Sequence, residues 1–522
     1  MMSNRLSDPL LQLVHSLEKA EKRNFKLYIK RSSGKGDLKI IQLFDALSKL
    51  ADYDEKELLK KLPSVQKPQL ANLKAHLYRE LLASLRMLKS AESIDLQLHE
   101  QFDYARILYN KGLYLQSLKI LEKVKDLAKQ YHQESFLIQV ISLEKKIETL
   151  HITRTVGDTA DRLTQESNEI NRQRLMITQL SNLALQLYGW YVKNGHARNE
   201  KDEKKVKQFF KKNLPIDAIT VTGFYERLYL CQSYCWFAFI CQDFLMYYRY
   251  SRKWVALFEK DPLMITVETG HYIKGMHNLL TASFDLRNFR QFDQTLSHFD
   301  KFASSDAANQ HYNFRMQTFV YISSAKINGH LMKGSFSEGL KLVPGIEKGL
   351  KQFSTFIDRH RVLVIHYKMA MLYFGNGDYE KSIECLRRII NGPVDLRIDL
   401  QCYARLLHLM AHYELGNDRI IESLTRSVYR FMSKMENLTI VEDAMFVFLQ
   451  KNFYVSSQKI KPALKTFLQQ IKKFEKNRFE TRAFAYLDII SWIESKVYEK
   501  SMGAVIEEKY LNNKHRNIAP TP

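Results

Sequence analysis

The sequence contains little of what enzymes and disulfide-bonded secreted proteins usually show. Its 522 residues include only 5 cysteines, which form neither a C-x-x-C pair nor an even-numbered framework. We interpret them as buried, reduced thiols, as is typical of cytoplasmic proteins. Motifs of the types G-x-G-x-x-G, G-x-x-x-x-G-K-[ST], H-E-x-x-H and G-x-S-x-G are absent. The sequence therefore predicts no catalytic residue, no metal-ligand set and no cofactor.

Long apolar runs are also missing. The N-terminal region has no unbroken apolar segment of signal-peptide length. The most apolar window, 228–240, is interrupted by Gln232 and Ser233 and is too short to cross a bilayer. We therefore expect a cytoplasmic protein that is not inserted in a membrane.

Proline is scarce, with only 10 residues, and most of them lie near the chain ends or between periodic segments. Long stretches are thus free to form uninterrupted helices. Hydrophobic residues make up 45% of the chain and recur at helical spacing, which predicts an all-α fold. The 79 Lys and Arg residues exceed the 57 Asp and Glu residues, giving a formal net charge of +22. This excess favours acidic partners, although a solvated lysine-rich surface would also explain it.

The stretch 363–393 is the clearest structural unit in the sequence. It reads as two amphipathic helices joined at Gly377 and Asp378, and Pro393 ends the second helix. Gly377 can adopt the left-handed conformation that ends a helix, and Asp378 can cap the free amides of the next one. Each helix has one stripe of apolar and small residues. The stripe of the first helix consists of Leu363, His366, Met369, Ala370 and Tyr373. The stripe of the second helix consists of Tyr379, Ser382, Ile383, Leu386, Ile389 and Ile390.

This stretch resembles the tetratricopeptide repeat family. The matching pattern consists of Ala370, Tyr373, Gly377-Asp378-Tyr379, Ser382, Leu386 and Pro393. The resemblance implies an α-solenoid of antiparallel helix hairpins. It also implies that an extended peptide or a helix binds in a concave groove lined by the first helix of each hairpin.

Related turns along the chain suggest a repeat region with a different helical segment before it. The spacing between successive turns is roughly 36 to 47 residues. We expect an N-terminal helical domain or cap at 1–95, helix hairpins at 96–475, and a closing helix with a mobile polar tail at 476–522. The related turns lie near Gly112, Gly157, Gly195, Gln242, Asn288, Gly334, Gly416 and Asn452.

The resemblance also selects candidate groove residues, which are first-helix positions outside the apolar stripe. Lysine and asparagine side chains there could hold a peptide carboxylate, although ordinary exposed polar residues would give the same pattern. The candidates are Lys274, Asn278, Asn328, Tyr367, Lys368 and Tyr403.

Two Arg-bearing basic runs are candidates for contacts with phosphate or with an acidic partner. A solvated helix face explains each run equally simply. Our first hypothesis is a non-enzymatic scaffold that binds another protein, possibly through acidic segments, in the groove. The alternative is a nucleic-acid-associated regulatory protein that uses the basic faces. The candidate residues are Lys22, Arg23, Lys26, Lys30, Arg31, Lys472, Lys473 and Arg478.

Overall fold

A computed structural model provides the structure, and within the residues it describes the chain forms helices and no β-strand. The prediction of an all-α fold is therefore confirmed for these residues, whereas the solenoid arrangement stays a prediction. The chain divides into two compact units, Met1–Arg172 and Gln173–Pro522. The described ranges are 8–32, 38–89, 92–151, 158–354, 356–394, 398–435, 438–452, 457–475, 477, 479–480 and 487–514.

The first unit contains two separate hydrophobic clusters. One lies within 10–81, where Phe25 and Phe44 pack with ring centroids 4.8 Å apart, and the other lies within 98–170. The last helix, α9, continues into the second unit. The helices are α1 (Pro9–Ser16), α2 (Lys19–Ser32), α3 (Leu38–Ser48), α4 (Glu55–Lys60), α5 (Lys67–Lys89), α6 (Ile94–Asn110), α7 (Tyr114–Gln130), α8 (Glu134–His151) and α9 (Thr159–Asn194).

The second unit consists of helix pairs that are joined by short turns and share one extended core. A 3₁₀ helix at Ile216–Ile219 precedes the first pair. The helices are α10 (Glu200–Asn213), α11 (Phe224–Ile240), α12 (Phe244–Lys260), α13 (Met264–Val267), α14 (Thr269–Asp285), α15 (Phe289–Ala303), α16 (Asp306–Asn309), α17 (Tyr312–Lys333), α18 (Phe336–Leu340), α19 (Val343–Gln352), α20 (Arg359–Gly375), α21 (Tyr379–Ile390), α22 (Ile398–Glu414), α23 (Asp418–Lys434), α24 (Ile440–Asn452), α25 (Ser457–Lys472), α26 (Ile489–Val497) and α27 (Met502–Asn513).

One turn geometry recurs between paired helices. Gly377 is left-handed at φ 86°, and the next amide, of Asp378, donates to the carbonyl of Tyr373 at 2.9 Å. This bond satisfies a carbonyl that the end of the helix would otherwise leave without a partner. The same pair of features occurs at Gly112, His132, Gln242, Arg287, Gly334, Gly416 and Glu499. The predicted turn at Gly157 lies outside the described residues.

Small residues allow the paired helices to approach closely, as the sequence predicted for Ala370 and Ser382. Both are fully buried, and Ser382 Oγ donates to the Ala370 carbonyl at 2.9 Å. In the pair of α6 and α7, Ser117 Oγ donates to the Ala105 carbonyl at 2.7 Å with the same residue separation. The paired helices of the two hairpins therefore pack through the same contact, although the hairpins belong to different units.

The first helices of successive pairs also contact one another. Helix α14 packs against α17, α17 against α20, and α20 against α22. The second helix of each pair also packs against the first helix of the next pair: α15 contacts α17, and α21 contacts α22. Each of these first helices is consequently buried on most of its circumference. Only a narrow strip of each one remains partly accessible.

The structure differs from the predicted mobile tail after residue 499. Residues Met502–Asn513 form helix α27, which returns to contact α17. Val505 and Ile506 are each 6% exposed, and the Tyr510 ring lies 4.8 Å from the Phe289 ring. The polar sequence misled the prediction because only one face of this helix is apolar.

Candidate functional site

Residues that share one side of α14, α17 and α20 lie next to each other, and we call them together the first-helix face. Residues spaced by three, four or seven positions occupy one side of a helix, which explains why these side chains share a face. Its half-buried members are Lys274, His277, Arg361 and Lys368, and its buried members, all on α17, are Tyr321, Ser324 and Asn328 at 8%, 7% and 8% exposure.

Tyr321 forms the centre of this face. The His277 ring stacks on the Tyr321 ring, with centroids 4.1 Å apart and an angle of 16° between the planes. Lys274 Nζ lies 5.6 Å from the Tyr321 centroid, and Arg361 Cζ lies 5.1 Å from it. Helices α14 and α20 thus place two cations and one imidazole against a single aromatic ring of α17. Contacts of this kind hold a cation near an aromatic face without neutralising its charge.

Lys368, which lies two helical turns after Arg361 on α20, adds a third cation. Its Nζ donates to Ser324 Oγ at 2.5 Å. This bond holds the ammonium group against α17, three positions after Tyr321. Within the described part of the chain, no carboxylate lies within 4 Å of Lys274 or Arg361. Lys274 and Arg361 therefore keep positive charge that no neighbouring described carboxylate neutralises.

The imidazole of His277 does not add to this charge. Burial lowers its pKa well below the usual value, and the cations of Lys274, Lys368 and Arg361 lower it further. At neutral pH the ring is therefore uncharged. The His277 ring therefore packs against the Tyr321 ring as a neutral aromatic group.

One acidic group, Asp285, lies at the end of α14 close enough to affect the cluster electrostatically. Burial raises the pKa of Asp285 to about 7, although Arg287 and Lys368 act in the opposite direction. The carboxyl group is therefore partly protonated at neutral pH. Deprotonation would place a negative charge near the Lys368 ammonium group.

The structure brings together only part of the predicted groove set. Lys274 and Lys368 are half-buried and lie on the first-helix face. Asn278 and Asn328 are only 5% and 8% exposed. Tyr367 and Tyr403 are 3% and 1% exposed and belong to the hydrophobic core, so their side chains are inaccessible to a partner. The sequence pattern placed these two tyrosines on the wrong side of their helices.

Sequence reasoning missed the residues at the centre of the face. Tyr321 lies seven positions before Asn328, and Arg361 lies seven positions before Lys368. An examination of the positions two helical turns before Asn328 and Lys368 would have identified both residues. The stacked His277 had no such signal, because its role depends on contact between α14 and α17.

The residues predicted to contact phosphate are dispersed among different environments. Arg23, Lys30 and Arg31 are exposed on α2, and Lys22 is half-buried there. Lys26 Nζ forms an ion pair with Asp45 at 2.6 Å.

In the C-terminal run, Lys473 is exposed, and Lys472 Nζ lies 2.6 Å from a carboxylate oxygen of Glu494. The hydrogen bond to Glu494 raises the pKa of Lys472. Arg478 lies outside the described residues.

Across the described ranges, no three or more His, Cys, Asp or Glu side chains are grouped so that they could hold a metal ion. All five cysteines are buried and free, and burial raises the pKa of Cys385 to about 11. No helix in the described part of the chain combines the length and apolar character needed to span a bilayer.

Comparison with known proteins gives no match. No family model matches the chain, and neither a curated protein nor a solved structure is significantly similar to it.

Proposed function

We propose that the chain is a non-enzymatic scaffold that binds another protein on the first-helix face. The observation that carries this proposal is the basic cluster around Tyr321, where Lys274 and Arg361 converge on one ring with no carboxylate within 4 Å among the described residues. A helix layer of this kind provides a continuous surface along which a peptide or a helix can lie. The cations of Lys274, Arg361 and Lys368 would steer acidic segments of the partner towards it.

The proposal includes the architecture that the sequence suggests. The recurring left-handed turns, the buried pair of Ala370 and Ser382, and the contacts between successive first helices support a tetratricopeptide-like α-solenoid in the second unit. In such an arrangement the first-helix face lines the concave groove. The partner would contact several hairpins at once.

Site-specific photocrosslinking in cells tests the proposal. A photoreactive amino acid replaces Val364, which is half-buried on α20 between Arg361 and Lys368. The matched control replaces Glu380, which is exposed on the second helix α21. We expect nuclease-resistant protein adducts at position 364 and none at position 380. Equal adducts at both positions, or only nucleic-acid adducts, would contradict the proposal.

A second candidate function is binding of nucleic acid by α2 in the first unit. The exposed Arg23, Lys30 and Arg31 favour it, because among the described residues no carboxylate lies within 4 Å of them. Such binding should weaken by orders of magnitude between about 50 and about 200 mM salt if several phosphates are contacted. Replacing all three residues by glutamate should abolish it. Binding that is insensitive to both changes would exclude this function.

A further inference from the structure

The first-helix face continues into an apolar region at the C-terminal ends of its helices. Leu331 and Met371 lie three positions after Asn328 and Lys368, Phe284 lies seven positions after His277, and all three line one small cavity. The opposite wall of this cavity includes Met502 and Ile506 of α27. Helix α27 therefore covers the apolar end of a surface at whose basic end Lys274, Arg361 and Lys368 stay partly exposed.

The contact between α27 and this region is close but narrow. Gly503 and Gly334 meet backbone to backbone, and a Cβ added at Gly503 would lie 2.8 Å from the Gly334 carbonyl oxygen. Beyond that point only Val505 and Ile506 are fully buried on the helix, with Met502 and Tyr510 half-buried. Lys509, also half-buried, forms an ion pair with Glu494 of α26 at 2.5 Å and donates to Ser491 Oγ at 2.8 Å. The other described residues of α27 are exposed or partly exposed.

The preceding helix is held very differently. In α26, every residue from 489 to 495 is buried. Trp492 Nε1 donates to a carboxylate oxygen of Glu414 at 2.6 Å, and Lys496 Nζ donates to the other at 2.5 Å. The turn between the two helices contains exposed residues 498–501, with Glu499 at φ 54°. Because α27 has far fewer buried residues than α26, we expect it to open more readily, with loss of the ion pair between Lys509 and Glu494.

We propose that the surface beneath α27 is a docking site for an amphipathic helix of the partner, and that α27 is its exchangeable internal occupant. This inference rests on the proposed function. The contacts of α27 define the chemistry of the partner helix, because they show what the surface accepts. The partner helix would carry aliphatic residues at the spacing of Met502, Val505 and Ile506, with an aromatic residue at the position of Tyr510. Acidic residues beyond this apolar stripe would reach the basic end of the face.

A peptide competition experiment tests the inference with full-length chain. The probe is a fluorescent peptide of residues 500–514, and the opened protein is the double variant V505D/I506D. We expect the peptide to bind the opened variant at least about tenfold more tightly than the wild type, in which α27 occupies the site. A peptide that carries the same two aspartates should bind neither protein. The control E507Q, altered on the exposed side of α27, should behave as the wild type.

Hydrogen exchange supplies the second measurement. In the wild type, amides of α27 should exchange at least about tenfold faster than those of α26, because α27 opens alone. In the opened variant, α26 should keep its protection, which shows that the core is intact. Ile506→Ala is a milder variant. It should bind the peptide of residues 500–514 more tightly than the wild type does, but by a smaller factor than V505D/I506D.

Two results would overturn the inference. One is equal protection of α27 and α26 in the wild type. The other is failure of the peptide to bind an opened variant whose α26 remains protected. If either occurs while adducts still form at position 364, the proposed function survives alone. If the peptide binds but no protein adduct forms there, the proposed function fails and the docking surface remains.

Discussion

Replacing Glu414 by glutamine should loosen the C-terminal helices without changing the rest of the second unit. The Glu414 side chain is only 6% exposed. It accepts hydrogen bonds from Trp492 Nε1 at 2.6 Å and from Lys496 Nζ at 2.5 Å. The Tyr379 hydroxyl is a further hydrogen-bonding partner. One carboxylate thus joins α26 to the ends of two hairpins.

The expected magnitude follows from these contacts. A hydrogen bond to a charged group contributes roughly 1.5 to 3 kcal/mol, against roughly 0.5 to 1.5 kcal/mol between neutral groups. Glutamine keeps the shape but removes the charge from the bonds to Trp492 and Tyr379, which weakens each by about 1 kcal/mol. The Lys496 side chain is 37% exposed, so water compensates most of its loss. We expect a total destabilisation of about 2 kcal/mol.

Hydrogen exchange of α26 amides is the suitable assay, because a chain with two compact units need not unfold in one step. A loss of about 2 kcal/mol corresponds to a decrease in protection of about 30-fold. The matched control is Glu384→Gln, which alters an exposed ion pair with Arg388 at 3.6 Å and should change protection little. A change at Glu414 no larger than the control would refute the reasoning.

Three further predictions concern the face, the hairpins and the last helix. Because the pKa of Asp285 is about 7, its charge appears as the pH rises. Affinity for a labelled Glu-rich peptide should therefore fall between about pH 6 and about pH 8 in a fluorescence titration, and Asp285→Asn should remove this dependence. Ser382 is fully buried against a facing helix, so Ser382→Leu should lower the local stability by roughly 1 to 3 kcal/mol, measured by hydrogen exchange of the α20 and α21 amides. Gly503→Val should speed exchange of α27 amides because of the close Gly334 carbonyl, whereas Gly345→Ala, which has no atom within 4 Å of the new Cβ, should not.

The local features of the hairpins were predictable from sequence because they depend on neighbouring residues. Gly377 and Asp378 encode a turn by backbone freedom and side-chain capping, and the structure has that turn. The equivalent turns at His132 and Glu499 were missed, because they have neither a left-handed glycine nor the Asp-Phe or Asn-Phe pair that follows Gln242 and Arg287. There the packing of the flanking helices selects the turn.

The candidate site was less predictable because it depends on contacts between helices. Helices α20 and α22 contact neighbours on several sides, so apolar residues occur around most of their circumference. Periodicity then gives no clear boundary between core and surface, which explains the misplacement of Tyr367 and Tyr403. Lys274 and Lys368 were found because long cations rarely lie wholly within a core. Their convergence on Tyr321 needed the three-dimensional structure.

The most direct test of the central claim is selection of binding peptides from a random displayed library on the purified full-length chain. The second target is a variant in which Lys274, Arg361 and Lys368 are replaced by glutamate. If the first-helix face is the partner-binding surface, the enriched peptides should be net acidic and should lose most of their affinity for the variant. Enriched peptides that lack acidic character and bind both proteins equally would contradict the account.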